Sequence, residues 1–298
     1  MPELPEVETI RRGLAALVSG RQVVGVTVLD DRAVRRQRGG PEAFIASLSG
    51  CTLLEPRRRG KYLWFPLRGT DRSTVDDALL CHLGMSGQFR VDDAGAPLER
   101  HTRVMADLDD GAQLRFLDQR LFGGLQISPA GADLPAEIAH IGPDPFSDGF
   151  DPRRAGALLR ARRSTLKRSL LDQTLVSGIG NIYADETLWR ARRHPETPTG
   201  RLRAAEAGAL YETARQVMAE ALVAGGTSFD SLYVRVNGES GYFSRRLDVY
   251  GRAGQPCRRC GTPITRMAFM NRSSHLCPHC QRWPRGVPRP PAPLGSPR

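Results

Sequence analysis

HIGPDPFSDGFDP, residues 140–152, divides the chain into two halves with different periodicities. Its three prolines remove backbone donors and its glycines favour turns, so neither helix nor strand is expected to run through it. Upstream, from 22 to about 128, short runs of β type alternate with turn clusters such as DDAG and DDG: QVVGVTVLD, KYLWFPL, DALLCHLGMSGQFRV, RVMADL and AQLRFL. Downstream the period becomes helical in RRAGALLRAR, STLKRSLLDQ, NIYADETLWRAR and RAAEAGALYETARQVMAEALVAGG. A length of 298 residues suits two domains better than one core. The pattern predicts an α+β multidomain protein, with a β-rich sandwich or barrel over 1–140, a linker over 141–152 and a helical domain over 153–250.

Two helices belong to the first half. VETIRRGLAALVSG puts Val7, Ile10, Leu14 and Leu17 at helical spacing before a stop at Gly20, with Glu6 and Glu8 in the first turn, where a helix favours negative charge. PEAFIASLSG is the other. The end of the chain, WPRGVPRPPAPLGSPR, has no core-forming pattern, and 284–298 is expected to be a disordered tail.

The net charge of +11 and an isoelectric point near 10.0 suit a polyanionic partner. No stretch approaches the roughly 20 apolar residues that span a bilayer, and the first residues are acidic where a secretory leader would be basic, so an intracellular, cytoplasmic protein is expected. Of the 43 basic residues only two, Lys61 and Lys167, are lysine. An ammonium can relay a proton and a guanidinium cannot, which singles both out. Cys51 and Cys81 sit in apolar runs and read as small buried hydrophobes.

The other four cysteines form CRRC…CPHC, with Cys257, Cys260, Cys277 and Cys280 spaced Cys-x2-Cys-x16-Cys-x2-Cys. This is the spacing of a four-thiolate zinc site, where each pair grips one edge of a tetrahedron; two disulfides are the less favoured alternative in an intracellular chain. Four thiolates leave zinc no open position, so a single structural Zn2+ is expected to fold a module over 251–283. From 251 to 298 there are nine arginines and no acid, a composition fit for DNA or for protein contact.

The chain begins MPELPEVE. Proline at position 2 permits removal of the initiator methionine, which would leave a secondary amine whose pKa, about 7.7 to 8, lies well below that of lysine. Such an amine is a nucleophile for an aldehyde-like carbon, with Glu3 placed to move a proton; a plain helix lead-in is the competing reading. Further on, VSGIGNIYADE sets two glycines ahead of a helix, which would leave unpaired backbone N–H groups as a seat for phosphate, or merely turn a corner.

Taken together, PELPEVE, GKYLWF, HLGMSG, DQRLFGG, LVSGIGNIYADE and GYFSRRLDVYGRAGQPC resemble, in this order, the formamidopyrimidine-DNA glycosylase family of base-excision repair enzymes. The resemblance implies an N-terminal β-sandwich with a leading helix, then a helix–two-turn–helix domain and a β-hairpin zinc finger. It implies a bifunctional glycosylase and abasic-site lyase. Pro2 would attack C1′ of the damaged nucleotide with Glu3 assisting at the sugar, and the Schiff base would permit β- and δ-elimination. Lys61 and Arg272 would serve the strand chemistry or hold its phosphates; a guanidinium is a poor acid, which favours Arg272 as a phosphate clamp. Met85, Arg120 and Phe122 would fill the space left by the flipped nucleotide, and their flanking glycines suit protruding loop tips. His82, His101, Arg162, Lys167 and Asn181 would contact the DNA backbone.

The resemblance favours oxidised purines, 8-oxoguanine and formamidopyrimidines in double-stranded DNA, over the oxidised pyrimidines of the related endonuclease VIII branch. A monomer is expected. One departure from the family pattern is ARRHPETP, where many relatives have a glycine and an aliphatic residue before the His-Pro pair; little effect is expected of it. A lesion-binding zinc protein that does not cut is the alternative from another class.

Overall fold

The computed structural model describes residues 2–70, 74–225 and 246–289. Met1, the loop expected to follow the long helix (226–245) and the end of the tail (290–298) lie outside the described residues.

The first half is two sheets behind a helix. Helix α1 (Leu4–Val18) precedes strand β1 (Val23–Val28), helix α2 (Gly40–Leu48) and strands β2 (Thr52–Leu53), β3 (Arg57–Arg59), β4 (Tyr62–Arg68), β5 (Ala78–His82), β6 (Gly87–Asp93), β7 (Thr102–Leu108), β8 (Ala112–Asp118) and β9 (Gly124–Ser128). One sheet runs β1-β7-β8-β6 and the other β2-β4-β5-β9, with β3 paired to β4. Every pairing is antiparallel, and β7 alternates buried and half-buried residues as a strand with one face on a core must. Phe44, Phe65, Phe89 and Phe116 fill the space between the sheets with Val7, Ile10, Leu14 and Val18 of α1. The helix thus turns Val18 inward and leaves the predicted Leu17 43% exposed. The run DALLCHLGMSGQFRV is broken at 83–86, where a turn separates β5 from β6.

The second half holds α3 (Pro152–Ala161), α4 (Leu166–Leu170), α5 (Asn181–Arg190) and α6 (Ala204–Val223), with α3 and α5 packed on α6. Its core is Leu159, Leu166, Leu170, Ile182, Tyr183, Leu210, Tyr211 and Met218, and Leu4 of α1 is buried among them. The linker is ordered rather than loose: Asp144 accepts from both Nη1 of Arg58 and the Gly60 amide, at 2.8 and 3.1 Å. The chain ends in the hairpin β10 (Thr265–Phe269) and β11 (Arg272–Leu276) above the cysteines. Residues 284–289 depart from the expected disordered tail. The Trp283 indole donates to the Val287 carbonyl at 2.8 Å, and Arg201 donates to that of Arg285 at 2.6 Å.

Candidate active site and nucleic-acid interface

Pro2 is buried at the head of α1, and Glu3 beside it is 1% exposed. The Glu3 carboxylate crosses to the N-terminus of α5, where it accepts from the amides of Gly180 (2.8 Å), Ile182 (2.8 Å) and Tyr183 (3.3 Å). This narrows the expectation of a phosphate seat at GIGN: three of the N–H groups at this helix end, those of Gly180, Ile182 and Tyr183, are already taken by a carboxylate from some 180 residues upstream. The glycines of the motif are steric requirements of that contact. A Cβ on Gly180 would lie 2.2 Å from Cδ of Glu3, and one on Gly178, whose φ is +93°, would strike the Leu4 side chain at 2.5 Å. Burial pushes the Glu3 pKa up, against the opposing pull of Lys61 and of the α5 amides. Glu6 completes the joint, accepting from the Glu3 amide (2.9 Å) and from the Tyr183 hydroxyl (2.7 Å). Glu8 binds Arg11, Arg12 and Arg58, which hold its pKa down at about 2. Glu6 and Glu8 therefore cross-link elements, where the sequence suggested only helix stabilisation.

Lys61 donates to the Ile179 carbonyl at 3.0 Å; burial lowers its pKa, Glu3 acts in the opposite direction, and Arg272 adds to the lowering. Lys61, His82 and Arg272 line one cleft of about 510 Å³ with Tyr62 and Gln173. His82 packs on the Tyr62 ring with centroids 4.5 Å apart, and its Nδ1 accepts from the Gly84 amide at 3.3 Å, which leaves Nε2 to carry the proton of the neutral ring. Burial and the nearby Arg36 and Lys61 push its pKa down to about 4. The proton on Nε2 is the one the ring can offer to a phosphate oxygen.

Met85 is half-buried, whereas Arg120 and Phe122 are exposed, and all three stand on two adjoining loops. The Arg120 guanidinium lies 4.8 Å from the Phe122 ring centroid. The loops touch backbone to backbone, since a Cβ on Gly84 would meet the Gly123 nitrogen at 2.3 Å. Asp118, fully buried, ties them: its carboxylate accepts from the Ser86 hydroxyl and from the amides of Arg120 (3.1 Å) and Gly123 (2.7 Å). Arg35 donates to the carbonyls of Leu121, Phe122 and Gly123 from outside. His101 stands half-buried beside Arg103, whose Nη2 is 3.4 Å from its Nδ1.

Lys167 does not face DNA. It has no exposed surface, pairs with Asp185 at 2.7 Å and donates to the Ser273 carbonyl (3.0 Å) and the Ser274 hydroxyl (2.8 Å), so none of its protons is left for a phosphate. Asn181 also donates to the Ser273 carbonyl, at 3.0 Å, and is 8% exposed. The two residues fix the strand that carries Arg272, which is itself exposed at the hairpin tip. Arg162 stands apart, exposed and bound to Asp172 (3.3 Å) and Thr174 (3.3 Å).

The Sγ atoms of Cys257, Cys260, Cys277 and Cys280 all lie within 4.8 Å of one another. A tetrahedral site with Zn–S bonds of about 2.3 Å needs edges of about 3.8 Å, so the set fits one zinc ion. Backbone amides of Arg259 and Cys280 and the Trp189 indole donate to the sulfurs at 3.4 Å, as they would to thiolates. Zinc bound there has no open position and supplies only structure.

Comparison with known proteins matches three segments of the chain. Residues 1–125 match the formamidopyrimidine-DNA glycosylase N-terminal domain, 141–232 its H2TH domain, and 254–282 the zinc finger found in FPG and IleRS. The chain is 56% identical over 286 residues to the formamidopyrimidine-DNA glycosylase of Salinispora arenicola, covering 96% of this chain and 98% of that one. The chain belongs to the formamidopyrimidine-DNA glycosylase family. The enzyme of Nocardioides sp. is 57% identical over 288 residues, 96% of each chain. Among solved structures, the Lactococcus lactis FPG mutant G226P bound to a Fapy-dG containing DNA superposes with a TM-score of 0.85 at 34% identity, covering 95% of this chain and all of that one. The wild-type L. lactis FPG with an oxidised pyrimidine containing DNA gives 0.84 at 35% identity, with the same coverage.

As a member of this glycosylase family the chain is a base-excision repair glycosylase and abasic-site lyase that binds DNA and holds one structural zinc. Among the described residues no helix is long and apolar enough to cross a membrane. Sequence reasoning passed over Asp118, Gln173 and Glu186. Gln173 donates to the Ile179 carbonyl and accepts from the Gly178 amide, bracing the turn before α5. Glu186 accepts from the amides of Asp248, Val249 and Tyr250, all at 2.9 Å, and so fastens the start of the zinc module to α5. Glu186 works on partners more than sixty residues away and Asp118 reaches Ser86 across 32 residues, which no local pattern shows, whereas Gln173 and the other Asp118 contacts are local turns.

Proposed function

We propose that the chain removes oxidised purines, 8-oxoguanine and formamidopyrimidines, from duplex DNA and nicks the resulting abasic site, working as a monomer in the cytoplasm on chromosomal DNA. The domain division proposed for this work is 1–140, 141–152, 153–250 and 251–283. With Met1 removed, the Pro2 nitrogen attacks C1′, the C1′–N bond to the base breaks, and the departing base takes up a proton. The sugar ring opens as Glu3 delivers a proton to its O4′, leaving an iminium between Pro2 and C1′. Loss of a C2′ proton expels the 3′ phosphate, and a second elimination expels the 5′ phosphate. Lys61 and Arg272 hold or serve those phosphates, and Met85, Arg120 and Phe122 occupy the vacated stack.

The observation that carries this reading is the buried Glu3 carboxylate, held by three amides beside Pro2 and electrostatically coupled to Lys61. Burial raises its pKa and so favours the acid form that proton delivery to the sugar requires. Borohydride reduction tests it. Mature protein incubated with an 8-oxoguanine·cytosine duplex should give a covalent adduct, and Pro2→Gly should abolish the adduct while retaining binding. No adduct with the wild-type protein rejects the enzyme chemistry; an adduct that persists in Pro2→Gly moves the nucleophile elsewhere.

A second reading, activity on oxidised pyrimidines as well, is favoured by the similar L. lactis protein whose complex holds such a lesion. Dihydrouracil and thymine glycol duplexes in the same trapping series rank the two.

A further inference from the structure

ARRHPETP, the departure from the family pattern, falls where α5 ends against the zinc module. Arg192 has a φ of +53°, a left-handed conformation in which an L side chain is strained and glycine is not. The backbone accounts for that conformation: the Arg192 and Arg193 amides donate to the Trp189 and Leu188 carbonyls at 3.1 and 2.9 Å and close the helix, so the fold needs no arginine side chain here. Arg192 and Arg193 line a concavity of about 580 Å³ with Arg259, Arg282, His279 and the two outer cysteines, Cys260 and Cys280. Among the described residues no carboxylate lines it.

Two of the four arginines are committed. Arg193 pairs with Glu206 at 2.9 Å, and Arg259 lies 4.0 Å from the Trp189 ring centroid while donating to the Trp189 carbonyl. Arg192 and Arg282 are exposed, and neither side chain makes a hydrogen bond or ion pair among the described residues. A tetrathiolate zinc centre carries two net negative charges, but it also receives the N–H···S bonds described above, and Arg259 is already fixed beside it. Arg192 and Arg282 are thus surplus cations in a concave wall, with the planar forks that suit phosphate oxygens.

The concavity is not part of the lesion cleft, with which it shares no lining residue. The hairpin separates them. Arg272 pairs with Phe269 at the tip and Leu276 with Thr265 at the base, so the four intervening steps, at about 3.3 Å each, put roughly 13 Å between tip and cysteine end. That exceeds the Debye length of about 8 Å at physiological salt, so the charges of the two sites are largely screened from each other.

We propose that the Arg192–Arg282 concavity is a second binding surface for nucleic acid phosphates, engaging duplex DNA outside the lesion groove. It binds phosphodiesters without reading sequence or damage, and gives the protein a hold on long DNA that a short lesion duplex does not engage.

The test compares wild type with Arg192→Gly/Arg282→Ser, in which the glycine suits the local φ. Affinities for undamaged duplexes of about 7 base pairs (roughly 24 Å at 3.4 Å per pair, about 12 Å to either side of the groove) and about five times that length are measured across a salt series. On the long duplex the variant should lose about 1.8 from the slope of log K against log salt, about 0.9 per phosphate, with the short-duplex slope unchanged. Arg282→Ser alone should lose half as much, which keeps the test open if the double variant folds poorly. Slopes that coincide on the long duplex overturn the proposal and leave the cluster to neutralise the zinc thiolates; equal loss on both lengths overturns it by assigning the arginines to the lesion groove. Inorganic phosphate alone, titrated against both proteins without DNA, separates the other source. Saturable phosphate binding to wild type that the variant lacks, together with long-duplex slopes that coincide, would make this a free-phosphate site and overturn the nucleic-acid assignment. Borohydride trapping on the short lesion duplex should match in both proteins, so failure of the repair chemistry is read separately.

Discussion

The Glu3 carboxylate and the Ile182 amide meet at 2.8 Å, so the acid beside the N-terminal proline is also the cap of a helix in the other domain. Helix capping and burial act on this group in opposite senses. Amide donors favour its anion, while burial, the larger influence, favours its acid.

Gly180→Ala tests that joint. The new methyl would lie 2.2 Å from Cδ of Glu3, so the carboxyl must move or the helix must give way. Displacement of a proton-transfer group by about 1 Å costs on the order of 10²-fold in rate. Single-turnover excision should fall by about that factor with the melting temperature lowered modestly; excision within twofold of wild type would show that the position of Glu3 is not needed.

Lys167→Met separates a structural lysine from a DNA contact. Removing one partner of the buried Lys167–Asp185 pair leaves a carboxylate without its cation, a loss of about 3–5 kcal/mol in urea unfolding. The salt slope of DNA binding should stay that of wild type. A slope lower by about 0.9 would mean that the ammonium reaches a phosphate after all.

Glu186 gives the stability a pH dependence. Burial raises its pKa to about 7 in spite of the three amides that donate to it. The folded protein therefore holds this proton more tightly than the unfolded chain, whose value is near 4.5. The resulting stabilisation is complete below about pH 4.5 and is lost as pH rises through about 7, at most about 3 kcal/mol. Glu186→Gln should flatten this slope in denaturant titrations taken across that window. An unchanged slope would place the titration on another group.

Asp118→Asn should loosen the wedge loops without touching the nucleophile. The amide cannot accept from Ser86, Arg120 and Gly123 as the carboxylate does, and the loss of buried hydrogen bonds to a charged group costs about 1–3 kcal/mol. Excision of a base-paired 8-oxoguanine should fall about tenfold or more, while nicking of a preformed abasic site should change little. Equal losses on both substrates would show that Asp118 acts beyond the wedge.

Local patterns carried much of this fold. The change of period around 140–152, the turn residues between strands and the paired cysteines were legible because each depends on neighbours within a few residues. Sheet order was not: nothing in the sequence of β1 shows that its partner is β7 rather than β2. The site divides in the same way. PELPEVE and the glycine-flanked loops could be read by resemblance, but the fate of the α5 N-terminus could not. Its amides are filled by Glu3, and no window of sequence contains both. Lys167 misled for a related reason, since a lone lysine on a short helix reads as exposed until Asp185 and β11 are packed over it.

Helix α1 contributes Leu4 to the core of the helical domain and Val7, Ile10 and Leu14 to that of the sheets, so only two residues of chain, Pro5 and Glu6, separate the two anchorages. The reactive end of the chain is attached there, so Pro2 takes its position from both cores at once, like a pin driven through two boards.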